Sequence, residues 1–212
     1  MDALKEAIPV AAKNTPRSPK KLLCLDLDET LIHASVKPFE HYQLIVGGDF
    51  MAVRPGLIAF LDRLAPHYDF MLWSVSGEEY VNAMLNVIWP KEHELKAIYT
   101  GKHARPHVEN GYGIPTYKEL YKVSRRLPYS RSQILALDDR PLAHKFNYGN
   151  LVQIQPFLGD PDDREFEKVG NLLENLAGVP DVRTVEKRWF KMMPDMYADK
   201  RAQGAGEPSP GS

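Results

Sequence analysis

Three short apolar runs in this chain end in groups that a core-filling run would not choose. Residues 22–28 read LLCLDLD, residues 68–74 read YDFMLWS and residues 133–139 read QILALDD. Between them lie longer stretches whose apolar residues recur every three to four positions. That alternation restricts the chain to an α/β architecture, a mostly parallel sheet wrapped by helices. Strands are predicted near 21–27, 68–74, 133–138 and 150–154, and helices over 55–65, 77–88, 116–126 and 163–177. The last helix places Phe166, Val169, Leu172, Leu173 and Leu176 on one face. In open parallel sheets, ligands bind in the crevice beyond the carboxyl ends of the strands. Asp26, Asp28, Ser74, Asp138 and Asp139 therefore arrive at one edge from separate points in the sequence.

Side chains at i and i+2 of an extended strand share a face, so Asp26 and Asp28 are expected side by side unless the chain bends between them. Neighbouring buried acids repel and are costly without compensation. An oxygen-only set, with no Cys or His cluster beside it, suits a hard cation. Mg²⁺ typically takes one or two carboxylates and leaves its other positions to water and phosphate. The carboxylates thus imply Mg²⁺, and with it phosphoryl chemistry.

The rest of the chain narrows the setting. Its 212 residues, 43% of them apolar, suffice for one α/β domain, expected over 20–192, with flexible tails at 1–19 and 193–212. Twenty-seven basic residues against 28 acidic ones leave no global attraction to nucleic acid or membrane. No apolar run reaches the roughly 18 residues that would span a bilayer. These features predict a soluble intracellular protein of cytoplasm or nucleus. Cys24 is the sole cysteine and lies inside an apolar run. A Cys-x5-Arg phosphate loop would need arginine where Thr30 stands, so Cys24 reads as a small buried hydrophobe. HYQLIVGGDFMAV, residues 41–53, has two half-apolar runs about Gly47-Gly48-Asp49 and predicts a β-hairpin inserted after the first strand.

Asp26-Leu27-Asp28-Glu29-Thr30 resembles the Asp-x-Asp-x-Thr signature of the aspartate-nucleophile phosphatases of the haloacid dehalogenase superfamily. The ordered set LDLDETLIH, VRPGLIAFL, LWSVS, YKEL and LALDDRP is similar to the RNA polymerase C-terminal-domain phosphatases and their small relatives, the NLI-interacting-factor-like phosphatases. The likeness runs from about Lys21 to Phe157. It implies a Rossmann-like sheet sandwiched by helices and a role for each residue. Asp26 would be the nucleophile that forms an aspartyl-phosphate. Asp28 would protonate the leaving oxygen, later take a proton from water, and offer its main-chain carbonyl to the metal. Asp139 would be the other direct ligand, with Asp138 either a ligand or a support. Ser74, with Thr30, would contact the phosphoryl group, and Lys118 would offset charge. Lys122, four residues on, competes for that last role.

The resemblance also implies a substrate, phosphoserine or phosphothreonine in a protein or peptide. Phe39, Tyr42 and Phe50 in the hairpin, or Tyr112 and Tyr117, are candidates to meet it. GKHARPH, residues 101–107, gathers Lys102, His103, Arg105 and His107, which either line a rim for an acidic substrate or form a solvated loop. These histidines lack a carboxylate or Cys partner at the usual zinc spacing. Two further readings stand beside this one. The same site could serve nucleic-acid phosphate ends or small phosphometabolites, or the chain could be a binding module with a lapsed site. Oligomeric state is left open.

Overall fold

The computed structural model describes residues 19–109 and 112–187. The expected tails, apart from Pro19, lie outside the described residues. Ten strands and four α-helices follow in chain order: β1 (Lys21–Leu25), β2 (Ile32–Ser35), β3 (Leu44–Val46), β4 (Asp49–Val53), α1 (Leu57–Leu64), β5 (Tyr68–Trp73), α2 (Glu78–Ile88), β6 (Leu95–Tyr99), β7 (Arg105–Glu109), β8 (Tyr112–Tyr117), α3 (Tyr121–Arg126), β9 (Ile134–Asp138), β10 (Leu151–Gln153) and α4 (Glu165–Ala177). Five strands form a parallel sheet in the order β10-β9-β1-β5-β6. β1, with neighbours on both sides, is its centre, which is why Leu22 to Leu25 are all buried.

Period-two alternation divides the core between the two faces of this sheet. Leu23 and Leu25 of β1, Phe70 and Leu72 of β5, and Leu135 and Leu137 of β9 pack with α1, α2 and α4 in one large cluster. Leu22, Cys24, Met71, Trp73, Ile134 and Ala136 face the other way, onto Leu120, Val123 and Tyr129 around α3. Burial pushes the Cys24 thiol up to about 12, consistent with an inert core residue. α1 buries Leu57, Phe60, Leu61 and Leu64 at helical spacing, and Gly56 at its N-cap takes a φ of 79°. α4 lies against α1 closely enough that a Cβ on Gly170 would sit 2.9 Å from Arg63.

The predicted hairpin is present as β3–β4, turned by Gly47 and Gly48, both at positive φ, and widened by β2 on the far side of β4. The helix expected over 116–126 is shorter. Tyr117 ends a second hairpin, β7–β8, and only Tyr121–Arg126 is helical. Pro115 cannot donate a helical hydrogen bond, and the Lys118 N–H is given to Ala143 O at 2.8 Å. β6, an edge strand with alternating exposure, and β7 are additions to the predicted elements. Among the described residues, no helix is long and apolar enough to cross a membrane.

Candidate active site

The carboxyl ends of β1, β5 and β9 hold the candidate residues. Asp26 continues the parity of Leu22 and Cys24, and its N–H extends the ladder to Leu137 O at 3.0 Å. Asp138 continues the parity of Ile134 and Ala136. Both carboxylates therefore leave the sheet on the α3 side, where Lys118 arrives just beyond β8. The Lys118 Nζ donates to Asp26 Oδ1 and to Asp138 Oδ2, each at 2.6 Å, and all three side chains are buried. Lys122 does not reach this point. Its ammonium donates to His103 O at 3.1 Å and pairs with Glu119 at 3.2 Å.

Asp28 goes elsewhere, because the chain turns immediately after Asp26. The N–H groups of Thr30, Leu31 and Ile32 all fold back onto Leu27 O, and Glu29 adopts a φ of 55°. The Asp28 carboxylate receives Tyr80 Oη at 2.5 Å on one oxygen, and Ser76 Oγ at 3.0 Å and Ser74 Oγ at 3.2 Å on the other. Ser74 is fully buried and also accepts from Ser76 N at 3.0 Å. Thr30 Oγ1 is buried without a hydrogen-bond partner. The turn is braced from below by Arg54, of the segment VRPGL. Its guanidinium donates to Thr30 O at 3.0 Å, to Gln155 O at 2.8 Å and bidentately to Asp163 at 2.8 and 2.9 Å.

Asp26, Asp138 and Asp139 each offer an oxygen, all within 4.8 Å of one another. Asp139 Oδ1 is buried and has no partner in the protein. A buried, orphaned carboxylate oxygen beside two more acids is the donor chemistry of a hard divalent cation, so these residues fit Mg²⁺. The electrostatics of the metal-free protein agree. Burial, then the Asp138 charge, pushes Asp26 up to about 8 against the pull of Lys118. Burial and Asp138 likewise push Asp139 up to about 6. Burial would raise Asp138 as well, but Lys118 and His144 hold it well below the usual carboxylate range. Burial alone would lower Lys118, yet its two carboxylate partners lift it above an ordinary lysine. The cluster is thus short of positive charge despite its lysine.

Several of these contacts are not read from the sequence in advance. Ser76 and Tyr80 on Asp28, and His144 and Asn147 behind Asp138, join the site only through the fold. Ser76 repeats Ser74 at i+2, a spacing that signals a shared face; nothing local marks His144. The basic group at 101–107 is already partnered. Lys102 pairs with Glu78, Arg105 lies 3.4 Å from Glu119, His103 Nδ1 accepts from Thr100 N at 3.0 Å, and Tyr117 Oη is 2.6 Å from His107 Nδ1. The Lys102 and Arg105 side chains nevertheless remain exposed. Of the candidate substrate aromatics, Phe39, Tyr42 and Phe50 form a continuous edge-to-face series on the insert, joined to His33. Tyr117 is buried against Phe146, and the side chain of Tyr112 lies outside the described residues.

Comparison with known proteins places this geometry in context. A family model described as NLI interacting factor-like phosphatase matches residues 21–183. CTD small phosphatase-like protein 2 of Dictyostelium discoideum is 29% identical over 188 residues, 82% of this chain and 30% of that protein. CTD small phosphatase-like protein 3 of Caenorhabditis elegans is 24% identical over 195 residues, 88% of this chain and 64% of that protein. The CTD nuclear envelope phosphatase 1 homolog of Drosophila pseudoobscura pseudoobscura is 28% identical over 196 residues, 85% of this chain and 77% of that protein. The first two relatives are thus matched over about a third and just under two thirds of their length. Among solved structures, Fcp1, an essential RNA polymerase II CTD phosphatase, superposes with a TM-score of 0.57 at 16% identity, covering 84% of this chain and 65% of that one. That likeness is one of fold.

Proposed function

This chain belongs to the NLI interacting factor-like phosphatase family, and on that premise we propose that it is a Mg²⁺-dependent phosphatase working through an aspartyl-phosphate on Asp26, with phosphoserine or phosphothreonine in a protein as substrate. The observation that carries this reading is the buried Lys118 ammonium 2.6 Å from both Asp26 and Asp138, at the edge where Asp139 keeps an unpartnered oxygen. A purely structural ion pair would have no use for the orphan. The protein-substrate part draws on the relatives, which are named CTD small phosphatase-like proteins.

In the first half-reaction an oxygen of Asp26 bonds to phosphorus as the bond from phosphorus to the ester oxygen breaks. Asp28 delivers the proton that the departing hydroxyl needs. In the second, water attacks the aspartyl-phosphate, Asp28 takes its proton back, and orthophosphate leaves with Asp26 restored. Ser74, Ser76 and Tyr80 orient Asp28 for both transfers, and Thr30 has a spare hydroxyl beside the turn. Lys118 favours the anionic, attacking form of Asp26. The residues that would hold Mg²⁺ are Asp26 and Asp139, with the Asp28 carbonyl. When bound, the ion supplies charge to offset the phosphoryl oxygens. Phosphate-monoester hydrolysis demands accelerations up to about 10²¹-fold, so a covalent step combined with charge compensation is proportionate.

Release of phosphate from p-nitrophenyl phosphate, with and without Mg²⁺, tests the chemistry. Asp26→Asn is expected to remain folded and to lose turnover; undiminished turnover in that variant would remove the nucleophile. Phosphopeptides set against phosphorylated oligonucleotides and sugar phosphates test the substrate, and preference for either of the latter would displace the protein reading.

A further inference from the structure

His144 and Asn147, 1% and 5% exposed, connect the Glu119–Leu120 peptide to the carboxylate that Lys118 grips. Their proton positions follow from their partners. The backbone N–H of Leu120 can only donate, so the Asn147 atom 3.1 Å from it is the amide oxygen. The amide nitrogen is then the atom 2.7 Å from His144 Nδ1, and it donates there. Nδ1, as an acceptor, carries no proton. The ring hydrogen must sit on Nε2, 3.0 Å from Asp138 Oδ2. One directed series of hydrogen bonds thus runs from a main-chain N–H to Asp138.

Asp138 is also fixed at its other oxygen, where Oδ1 accepts the Arg140 N–H at 2.8 Å. With Lys118 and His144 on Oδ2, the carboxylate is pinned from both ends. We propose that His144, oriented by Asn147, is a positioning residue for the phosphoryl-transfer site: its Nε2–H sets the rotation of Asp138 so that the Lys118 ammonium is held against Asp26. This rests on the phosphatase reading above. A neutral donor suits the task, because it fixes Asp138 without adding positive charge that would compete with Lys118 or a divalent ion. Without it, Asp138 keeps the Arg140 N–H on Oδ1 but Oδ2 is held by Lys118 alone, so Oδ2 and the ammonium can shift together, while the Lys118 main chain stays tied through its N–H to Ala143 O.

The test uses the full chain. ¹⁵N spectra of the imidazole, assigned in the unaltered chain from nuclear Overhauser contacts of the buried ring, are expected to show the neutral Nε2–H form; an Nδ1–H ring overturns the proposal without any need for a variant to fold. With p-nitrophenyl phosphate and Mg²⁺, His144→Phe is expected to lower kcat by about 10- to 100-fold with little change in KM, the range typical of partners behind a site's ligands. His144→Gln, whose terminal amide can replace the Nε2–H, is expected to recover most of that loss. Equal losses in both variants, or a rise in KM in place of the fall in kcat, would reduce His144 to a filler. Asn147→Asp keeps the acceptor for Leu120 and turns the donor to Nδ1 into an acceptor, so it is expected to replace the neutral ring by an imidazolium between two carboxylates, whose added charge competes with Lys118 and lowers kcat. If the unaltered chain releases no phosphate, the phosphatase reading fails by itself. The relay is then judged by the exchange-protected Lys118 ammonium resonance, expected in the unaltered chain and lost in His144→Phe; its persistence there would overturn the relay.

Discussion

Replacing Lys118 with Met keeps most of the side chain's volume and removes its charge, leaving Asp26 and Asp138 buried without their shared partner. At 2.6 Å and an effective dielectric near 20, the attraction of Lys118 to the ionised Asp138, and above about pH 8 to Asp26 as well, is worth about 6 kcal/mol apiece before desolvation. Desolvating the ions removes several kcal/mol apiece, and a proton taken up by one carboxylate limits the loss, so the net cost should fall at about 3–5 kcal/mol, the range for breaking a buried pair. Solvent does not soften it, since Lys118 is only 1% exposed. In a folded unit of this size that corresponds to a fall in Tm of roughly 6–20 °C. Urea unfolding of Lys118→Met, followed by tryptophan fluorescence in chelator, measures it. Mg²⁺ should then stabilise the variant more than the parent, because the ion restores the missing positive charge. Lys122→Met, whose parent group is a partly exposed pair, should cost no more than about 1 kcal/mol. Loss of under about 1 kcal/mol in Lys118→Met would refute the claim that this lysine balances the cluster.

Three further outcomes can be measured. In the metal-free protein, Asp26 binds a proton up to about pH 8, whereas the unfolded chain releases it near the ordinary carboxylate value. The folded state therefore holds more protons across that window, and stability should decline as pH rises from about 6.5 to 8, where Asp139 has already titrated and His144, lowered by burial, is neutral. Asp26→Asn or saturating Mg²⁺ should flatten the slope; a rise in chelator would reverse the assignment. Arg54→Met should cost about 3 kcal/mol or more in thermal unfolding by stranding Asp163 and two carbonyls, and Arg54→Lys should rescue little because it loses the fork. Full rescue by Lys would mean that charge alone matters. Gly101→Ala would set a Cβ 2.5 Å from the Val75 carbonyl oxygen, in the loop carrying Ser76, and should cost about 1–3 kcal/mol along with turnover; a neutral result would show the loop can yield.

The parts of the site that lie on sheet strands are legible because the alternation carries past the strand ends. Reading LLCLDLD and QILALDD in steps of two is enough to put Asp26 and Asp138 on one face, together with Leu22, Cys24, Ile134 and Ala136. Asp28 obeys the same count and yet departs, because the turn folded onto Leu27 O breaks the period one residue beyond Asp26. A turn defined by three N–H groups on one carbonyl has little residue signature of its own. The β7–β8 hairpin is hidden for a related reason. Prolines at 106 and 115 and glycine at 113 interrupt any two-residue pattern, while YKELYKV reads as helix until the Lys118 N–H finds Ala143 O. His144 and Asn147 are opaque in a different way. Their meaning comes from Leu120, 27 residues before Asn147, and from Asp138, six residues before His144 but reached only through the turns between them.

The two faces of the central sheet carry unequal shares of the molecule. Three helices press on one side, and a single short helix with its neighbouring turns covers the other, where the acids emerge. Robustness and reactivity consequently overlap only in part. Repacking α1 against α4 can raise or lower the melting point with little change in catalysis, whereas Tyr80 of α2 and Lys118 beside α3 belong to both tasks, one orienting Asp28 from the larger cluster and the other holding the acids on the smaller side.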